Sequence, residues 1–236
     1  MLRGVIILVV ALLASACGSL FDGVQQAALS SFQQRLATVF SQRLSSAIDW
    51  VVDDLASEGG FLDDPLVRIL LPPPVGLVLD TSRDLRNDPQ AALLETLINR
   101  AAENAVPVAG PLIKEVLTTM DAATLSALAS SPQQAATEYL QASVGPALET
   151  ALAPVISEKL QETGAQAIYG ELFAAQQASM DANAAAPSAD VEAPPMVAPE
   201  QLGEYVAEQA VGGVFRKLAR KELAIRDDLS GLGMAQ

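Results

Sequence analysis

Apolar residues recur every three to four positions from Leu20 to Leu55, and this spacing constrains the fold more than any other feature of the sequence. Residues three and four apart share one face of an α-helix, so the pattern predicts a single long amphipathic helix. Gly59 and Gly60 follow the last apolar position and mark the end of that helix. Aromatic residues make up only 4% of the chain, whereas alanine and leucine are abundant, which favours helix packing over a β-sandwich.

The next part of the chain predicts one irregular segment followed by more helices. Residues 61–75 are apolar and rich in proline, so we expect an extended segment laid across the helices. A short helix is expected over residues 76–85. Asp88 directly before Pro89 is typical of a helix N-cap followed by proline at the first helical position.

Helix signals continue through the middle of the chain. Asp121 is expected to cap a helix that runs through residue 129. Ser131 and Gln134 resemble a capping box, which would open another helix. The prolines at Gly145-Pro146 and at Pro154 are expected to interrupt that helix.

The predicted fold is all-α, a single multi-helix, bundle-like domain. It has a long N-terminal helix, a proline-rich extended segment and a C-terminal helix that packs back after a flexible linker. The expected parts are a signal peptide (1–16), a helical domain (17–178), a flexible Ala/Pro-rich linker or loop (179–198), a C-terminal helix of the same domain (199–228) and a disordered tail (229–236).

The first sixteen residues have the layout of a secretory signal peptide. Arg3 gives a positive start, residues 4–13 form a compact apolar run, and Ala14-Ser15-Ala16 are small. The apolar run is shorter than the ~20 residues that a membrane-spanning helix needs. An ordinary signal peptidase would leave a free thiol on Cys17. Alternatively, residues 13–17 (LASAC) resemble a bacterial lipobox, and we predict that Cys17 is lipidated, since a solitary cysteine here is otherwise hard to explain.

Lipidation of Cys17 would attach the domain to a membrane. Each buried methylene contributes ~0.8 kcal/mol, so several acyl chains, palmitate among them, would together anchor firmly. Gly18 rather than Asp follows the cysteine. By resemblance to the bacterial lipoprotein sorting pattern, this implies the outer membrane, with the domain facing the periplasm.

The composition excludes several classes of function. The chain contains no histidine, which removes the commonest general base and the commonest metal ligand. We therefore expect no catalytic residue, no metal and no cofactor. Paired carboxylates could hydrolyse glycosides without histidine, but Trp50 is the only tryptophan available to stack on a sugar. A net charge of −14 repels phosphate backbones, so nucleic acid is not an expected partner.

Four segments of the chain carry a resemblance to a known family. The segments are Gly60-Phe61-Leu62 with Pro65-Leu66-Val67-Arg68-Ile69, Asn99-Arg100-Ala101-Ala102-Glu103, Ala135-Ala136-Thr137-Glu138-Tyr139-Leu140, and residues 215–226 (FRKLARKELAIR). In order and spacing they resemble the proteobacterial lipoprotein family catalogued as a domain of unknown function, DUF4197. The resemblance covers roughly residues 20 to 228 and implies a helical envelope lipoprotein with no established activity.

Arg68 is the first candidate binding residue, because it lies inside an apolar segment. A cation there needs a partner, since a buried and unpaired charge is costly. Glu103 and Asp64 are the expected partners in a structural ion pair. The alternative is that Arg68 lines a groove and binds an anionic ligand through bidentate hydrogen bonds.

A second candidate site is the polar patch that Asn99, Arg100 and Glu103 form on an alanine- and leucine-rich helix. Asn99 and Glu103 are four residues apart and Arg100 and Glu103 three apart, so the spacing brings their side chains together. The patch is either an internal hydrogen-bond network or the lining of a pocket.

Two clusters of charge complete the candidates. One holds Asp53, Asp54, Glu58, Asp63 and Asp64 around the Gly59-Gly60 turn. Clustered oxygens suit Ca²⁺, but the EF-hand spacing is absent, which favours a solvated acidic turn. The other cluster is basic and lies on the last helix, where it forms either a charged outer face or a dock for an acidic partner or lipid headgroups. Its members are Arg216, Lys217, Arg220 and Lys221, with Arg226 beyond them.

These observations favour a lipid-anchored, non-catalytic envelope protein that binds a protein partner or a small apolar or anionic ligand. The alternative is a structural or assembly factor of the envelope without a ligand. A carboxylate-dependent hydrolase is a third reading of the same sequence. The oligomeric state does not follow from the pattern.

Overall fold

A computed structural model of the chain describes residues 31–73, 75, 88–183 and 196–231. Within these ranges every regular element is helical, so the all-α prediction is confirmed. Short 3-10 helices at Val106–Val108 and Pro199–Gln201 precede two of the α-helices. The α-helices are α1 (31–56), α2 (Pro89–Ala105), α3 (Ala109–Thr119), α4 (Ala122–Ser130), α5 (Ala135–Glu162), α6 (Ala165–Asn183) and α7 (Leu202–Gly231).

From Leu36 onward, helix α1 buries the apolar stripe that its sequence predicts, whereas Phe32 in the same stripe is 42% exposed. Leu36, Leu44 and Leu55 are each at most 4% exposed. The helix ends at residue 56, and Gly59 then turns the chain with a φ of +82°, which glycine adopts without steric cost. The predicted start of this helix before residue 31 lies outside the described residues, as does the predicted helix over 76–85.

The segment after α1 differs from the extended chain that we predict. Turns occupy residues 61–63 and 65–67, and irregular chain follows over 68–72. The carboxylate of Asp64 accepts a hydrogen bond from the amide of Leu66 (2.9 Å), and its carbonyl accepts from the amides of Val67 and Arg68. Aspartate before proline favours such a turn, and the prediction of a fully extended segment was wrong because it gave this local bonding too little weight.

Two predicted helix caps are confirmed and one is wrong. Asp88 accepts from two amides in the first turn of α2, and Asp121 accepts from the amide of Thr124 at 2.7 Å. The capping box at Ser131 does not form, because the Ser131 hydroxyl donates instead to the carbonyl of Ala127 (2.8 Å). Helix α5 starts only after Gln134, whose side chain makes no capping bond.

Helix α5 runs without interruption from Ala135 to Glu162, so the predicted breaks at Pro146 and Pro154 were wrong. Each proline removes one helical hydrogen bond, a cost that burial can offset. Leu140 and every fourth residue after it, up to Leu160, are buried. Four residues advance a helix by slightly more than one turn, so this stripe winds around α5, which packs against α2, α3, α6 and α7. Tertiary packing therefore outweighs the local effect of the two prolines.

The C-terminal boundaries also differ from the prediction. Helix α6 continues to Asn183, so the linker predicted over 179–198 begins too early. The end of that linker is bound to the domain, since the amide of Val197 donates to the carbonyl of Pro73 (3.1 Å) and Tyr169 donates to the Val197 carbonyl. Helix α7 extends to Gly231 rather than 228, and Leu229, predicted to open the disordered tail, is 2% exposed. Buried apolar residues thus continue the helix beyond the predicted end.

Helices α5 and α7 form the centre of the domain. They are antiparallel, because Ala136 near the start of α5 meets Glu222 near the end of α7, while Ser157 meets Gly203. Their contact is the most extensive of those among α2 to α7. A Cβ atom on Gly203 would lie 2.0 Å from the Ser157 hydroxyl oxygen and 3.1 Å from its Cβ, so a larger residue there would force the Ser157 side chain to shift.

Candidate functional site

Arg68 is paired, but with neither of the expected carboxylates. Its Nε donates to Glu95 at 2.7 Å, and Glu95 is 5% exposed. The Arg68 side chain itself is 44% exposed. The expected pairing with Glu103 or Asp64 was wrong because the turn at Asp64 directs Arg68 towards the start of α2. Arg68 therefore neutralises a buried glutamate that the sequence analysis did not single out.

Asn99 forms an internal network with the irregular segment. Its carbonyl oxygen accepts from the amide of Ile69 (2.9 Å), and its Nδ2 donates to the carbonyls of Ile69 and Glu95. The residue is fully buried. The amide side chain thus replaces the strand partner that the Ile69 backbone lacks. This geometry agrees with the structural interpretation of the patch rather than with a pocket.

Glu103 and Arg100 extend the same network towards the turn after α1. Glu103, 4% exposed, accepts from the amide of Phe61 (3.3 Å) and from Arg100 (2.8 Å). Arg100 also pairs with the exposed Glu58 at 2.5 Å. The guanidinium of Arg100, which an anionic ligand would need, therefore already donates to Glu58 and Glu103.

Lys217 neutralises the acidic turn. It forms ion pairs with Asp54 and with Asp64, the second at 2.9 Å, and its side chain is 12% exposed. Its hydrogen bond lowers the pKa of Asp64. Burial opposes the charged form of Lys217, but the hydrogen bonds to the two aspartates prevail and raise its pKa. Among the residues that the structure describes, no group of three or more acidic or cysteine side chains could hold a metal ion.

The predicted basic face does not act as one surface. Lys217 forms its ion pairs with the acidic turn. Lys221 instead lies over the ring of Trp50, with its Nζ 3.2 Å from the ring centroid. Such cation–π contacts are favourable, and here one joins α7 to α1. Arg216 and Arg220 are exposed. The four side chains are therefore divided among an internal ion pair, an aromatic contact and solvent.

Glu222 and Arg226 form the most deeply buried charged pair in the described part of the chain. Glu222 is fully buried and accepts from the amides of Ala136 (3.1 Å) and Thr137 (2.7 Å), which are the free donors at the start of α5. Arg226 donates to Glu222 through Nε at 3.0 Å. A negative charge at the start of a helix is favourable, so Glu222 supplies the cap that Ser131 does not.

Arg226 performs the complementary task at the end of α4. Its guanidinium donates to the carbonyls of Leu128 (2.8 Å), Ala129 (3.0 Å) and Ser131 (2.5 Å). The Leu128 carbonyl also accepts from the amide of Ser131 (3.2 Å), the residue that follows α4. A cation is favourable at a helix C-terminus. One pair on α7 therefore caps two helices. The sequence shows Glu222 and Arg226 only as residues four apart on one helix, because the groups that they cap lie 85 to 98 residues away.

An open groove lies between α5 and α7, on a part of the surface that sequence analysis did not identify. Its volume is about 570 Å³, and a recess of about 310 Å³ continues it towards Arg216. Tyr205 is half-buried in this groove, and its hydroxyl donates to the carbonyl of Leu70 (3.2 Å). Burial raises the pKa of Tyr205, and the nearby charge of Glu208 raises it further. The residues that line the groove include Glu149, Ala153, Val197, Glu204, Tyr205 and Glu208.

The groove glutamates differ from the buried glutamates of the domain, each of which has a cationic partner. Glu149, Glu204 and Glu208 form no ion pair with any residue in the described ranges. The carbonyl of Thr150, also on the wall, cannot receive its usual helical hydrogen bond, because Pro154 has no amide hydrogen. The groove thus offers acceptors and negative charge beside apolar surface.

Two further predictions concern membranes. Cys17 and the predicted signal peptide lie outside the described residues. Among the helices that the structure describes, none combines the length and the apolar character needed to cross a bilayer.

The helices and their buried ion pairs define an all-α domain of antiparallel helices braced by charged side chains. The chain belongs to the DUF4197 family, described as proteins of unknown function, whose family model matches residues 30–234. This confirms the family that the four sequence segments indicated. Comparison with curated proteins and with solved structures gave no match.

Proposed function

We propose that this chain is a lipid-anchored, non-catalytic binding module of the bacterial envelope, and that the groove between α5 and α7 receives a positively charged segment of a protein partner. The location is supported by the signal-peptide pattern, by the lipobox-like residues before Cys17 and by Gly18 after it. The lipid tether would hold the groove near the membrane.

The binding role is supported by the distribution of unpaired charge. The buried carboxylates of Glu95, Glu103 and Glu222 all have cationic partners within the domain. The groove carboxylates have none among the described residues, although they lie beside the apolar side chains of Ala153 and Val197. A segment with lysine or arginine and short apolar residues would complement both features.

This proposal replaces the anionic ligand considered for Arg68 and Arg100. Both guanidiniums donate to carboxylates of the same domain, so an anion would compete with Glu95 or Glu103 for them. Displacing a paired carboxylate leaves a buried charge without its partner, which is costly.

The anchor is tested in cells by growth with labelled palmitate. We expect label in the mature protein and sedimentation with outer-membrane vesicles, and loss of both in Cys17→Ser. Unchanged processing and sedimentation of Cys17→Ser would contradict lipidation.

The groove is tested with a tetralysine peptide as probe, by calorimetry at low and at physiological salt. The variant Glu149→Gln/Glu204→Gln/Glu208→Gln removes the groove charges. The matched control removes three exposed glutamates elsewhere, at 115, 158 and 171. Removing three partly exposed charges at ~0.5 kcal/mol each should weaken binding about tenfold in the groove variant. Equal weakening in the control would show non-specific attraction and favour a structural factor without a ligand.

A further inference from the structure

Helix α4 is attached less firmly than the helices around it. Ala129 is its only buried residue, while Leu125 and Leu128 are half-buried against the core. The links on both sides are extended, with ψ of 135° at Met120 and 151° at Ser131. Helix α4 is therefore a short rigid element between two non-helical joints.

The contact between α4 and α1 is incompletely packed. An open cleft of about 450 Å³ lies between them, with Ala122 and Leu125 of α4 on one side and Ala37 and Thr38 of α1 on the other. A gap of this kind forgoes the dispersion contacts that a close-packed interface provides. The side of α4 that faces α1 therefore contributes little to its attachment.

The firmest attachment of α4 is the guanidinium of Arg226. It holds three carbonyls at the C-terminal end of the helix and lies 5.1 Å from the ring centroid of Phe40 in α1. The N-terminal end is capped locally by Asp121, a residue of the joint itself. Helix α4 thus keeps its own N-terminal cap when it moves, but loses contact with α7 when Arg226 releases it.

The joint between α4 and α5 is strained. Gln133 has a φ of 59°, the one positive value at a non-glycine residue in the described part of the chain. The left-handed region is unfavourable for a residue with a Cβ atom. Its neighbour Gln134 has a φ of −112° and carries no such strain. A rotation of the backbone at this joint would therefore relieve strain at Gln133 but not at Gln134.

We propose that α4 is a latched lid, which swings away from α1 as a unit while the remaining helices stay folded. Arg226 is the latch, residues 120–121 and 131–134 are the joints, and Gln133 stores strain that favours opening. Opening uncovers the buried side of α1 around Ala37 and Phe40. This surface is separate from the groove between α5 and α7, so the lid does not depend on the function proposed above.

Native-state hydrogen exchange of the full chain tests the lid. We expect the amides of α4 to exchange through an opening that is faster than that of α5 and insensitive to low urea, because a local movement exposes little surface. Gln133→Gly should slow this exchange about fivefold by removing the strain. Gln134→Gly, the matched control, should leave it unchanged or faster.

A buried thiol tests what the lid uncovers. In a Cys17→Ser background, Ala37→Cys places a thiol beneath α4, and Ala102→Cys places one in the core of α2; the two alanines are 3% and 0% exposed. We expect the first to react with a thiol reagent about tenfold faster or more, through local opening. Equal rates for the two thiols, exchange of α4 together with α5, or the same effect of both glycine variants would each overturn the proposal.

Discussion

Replacing Glu222 should destabilise the domain more than any other single change to a charged residue in its described part. Glu222→Ala leaves the amides of Ala136 and Thr137 without acceptors and leaves Arg226 without its carboxylate. Arg226 is only 14% exposed in its side chain, so water cannot fully replace the lost partner. Breaking a buried pair in this way costs about 3–5 kcal/mol of the free energy of unfolding.

Glu222→Gln separates the two parts of that cost. The glutamine oxygen still accepts from the first turn of α5, but its amide group cannot neutralise Arg226. We expect a loss of about 1.5–3 kcal/mol, the usual contribution of a hydrogen bond to a charged group. The order of stability should therefore be wild type, Glu222→Gln and then Glu222→Ala.

Urea denaturation followed by far-UV circular dichroism measures these differences. Asp227→Ala is the matched control, because Asp227 is the exposed neighbour of Arg226 on the same helix and should cost less than about 0.5 kcal/mol. The reasoning is refuted if Glu222→Ala lies within about 1 kcal/mol of Asp227→Ala, since the double cap would then contribute almost nothing.

Three further predictions concern the other internal contacts. Asn99→Ala removes a fully buried side chain that satisfies backbone groups, and should cost about 2–3 kcal/mol in the same denaturation assay; an unchanged midpoint would contradict this. The hydrogen bond from Lys217 lowers the pKa of Asp64 below 3.8. The Asp64–Lys217 pair therefore stabilises the fold above about pH 3.8, and this contribution is lost as the pH falls through the folded-state pKa. Lys217→Met should flatten the dependence of the unfolding free energy on pH between pH 5 and 3, and an equally steep dependence would contradict this. Gly203→Ala would place a methyl group against Ser157 and should cost about 1–3 kcal/mol of the free energy of unfolding. The double variant Gly203→Ala/Ser157→Gly should regain part of this stability, and a double variant as unstable as Gly203→Ala would show that Ser157 is not the cause.

Features of the fold that depend on neighbouring residues are predictable from the sequence. The buried stripe of α1 depends on the spacing between residues three to four apart, and the caps at Asp88 and Asp121 bind amides two to three residues further along. The structure contains all three features. The fully buried face of α7 follows from the same periodicity. Local rules suffice there because tertiary packing adds to the local preference rather than opposing it.

Features that depend on distant residues were missed or wrong. Pro146 and Pro154 satisfy the local rule for a helix break, but α5 is surrounded by other helices and continues through both. Glu222 caps a helix 86 residues earlier in the chain, and no spacing rule connects them. Arg100 and Glu103 form the pair that their spacing indicates, whereas Asn99 bonds instead to Ile69 and Glu95. Glu95 as the partner of Arg68 could not be identified without the path of the turn after α1.

The segments that carry the family resemblance are the same segments that these distant contacts join. Residues 60–69 bind residues 99–103 through the Ile69–Asn99 and Phe61–Glu103 hydrogen bonds. Residues 135–140 bind residues 215–226 through Glu222. Because these side chains hold the helices together in this chain, the resemblance does not by itself mark a binding site. The surfaces that remain available for function are those that the bracing leaves unpaired, and the groove between α5 and α7 is one of them. Function on this scaffold should therefore respond to exchange of the groove glutamates while the stability of the domain does not.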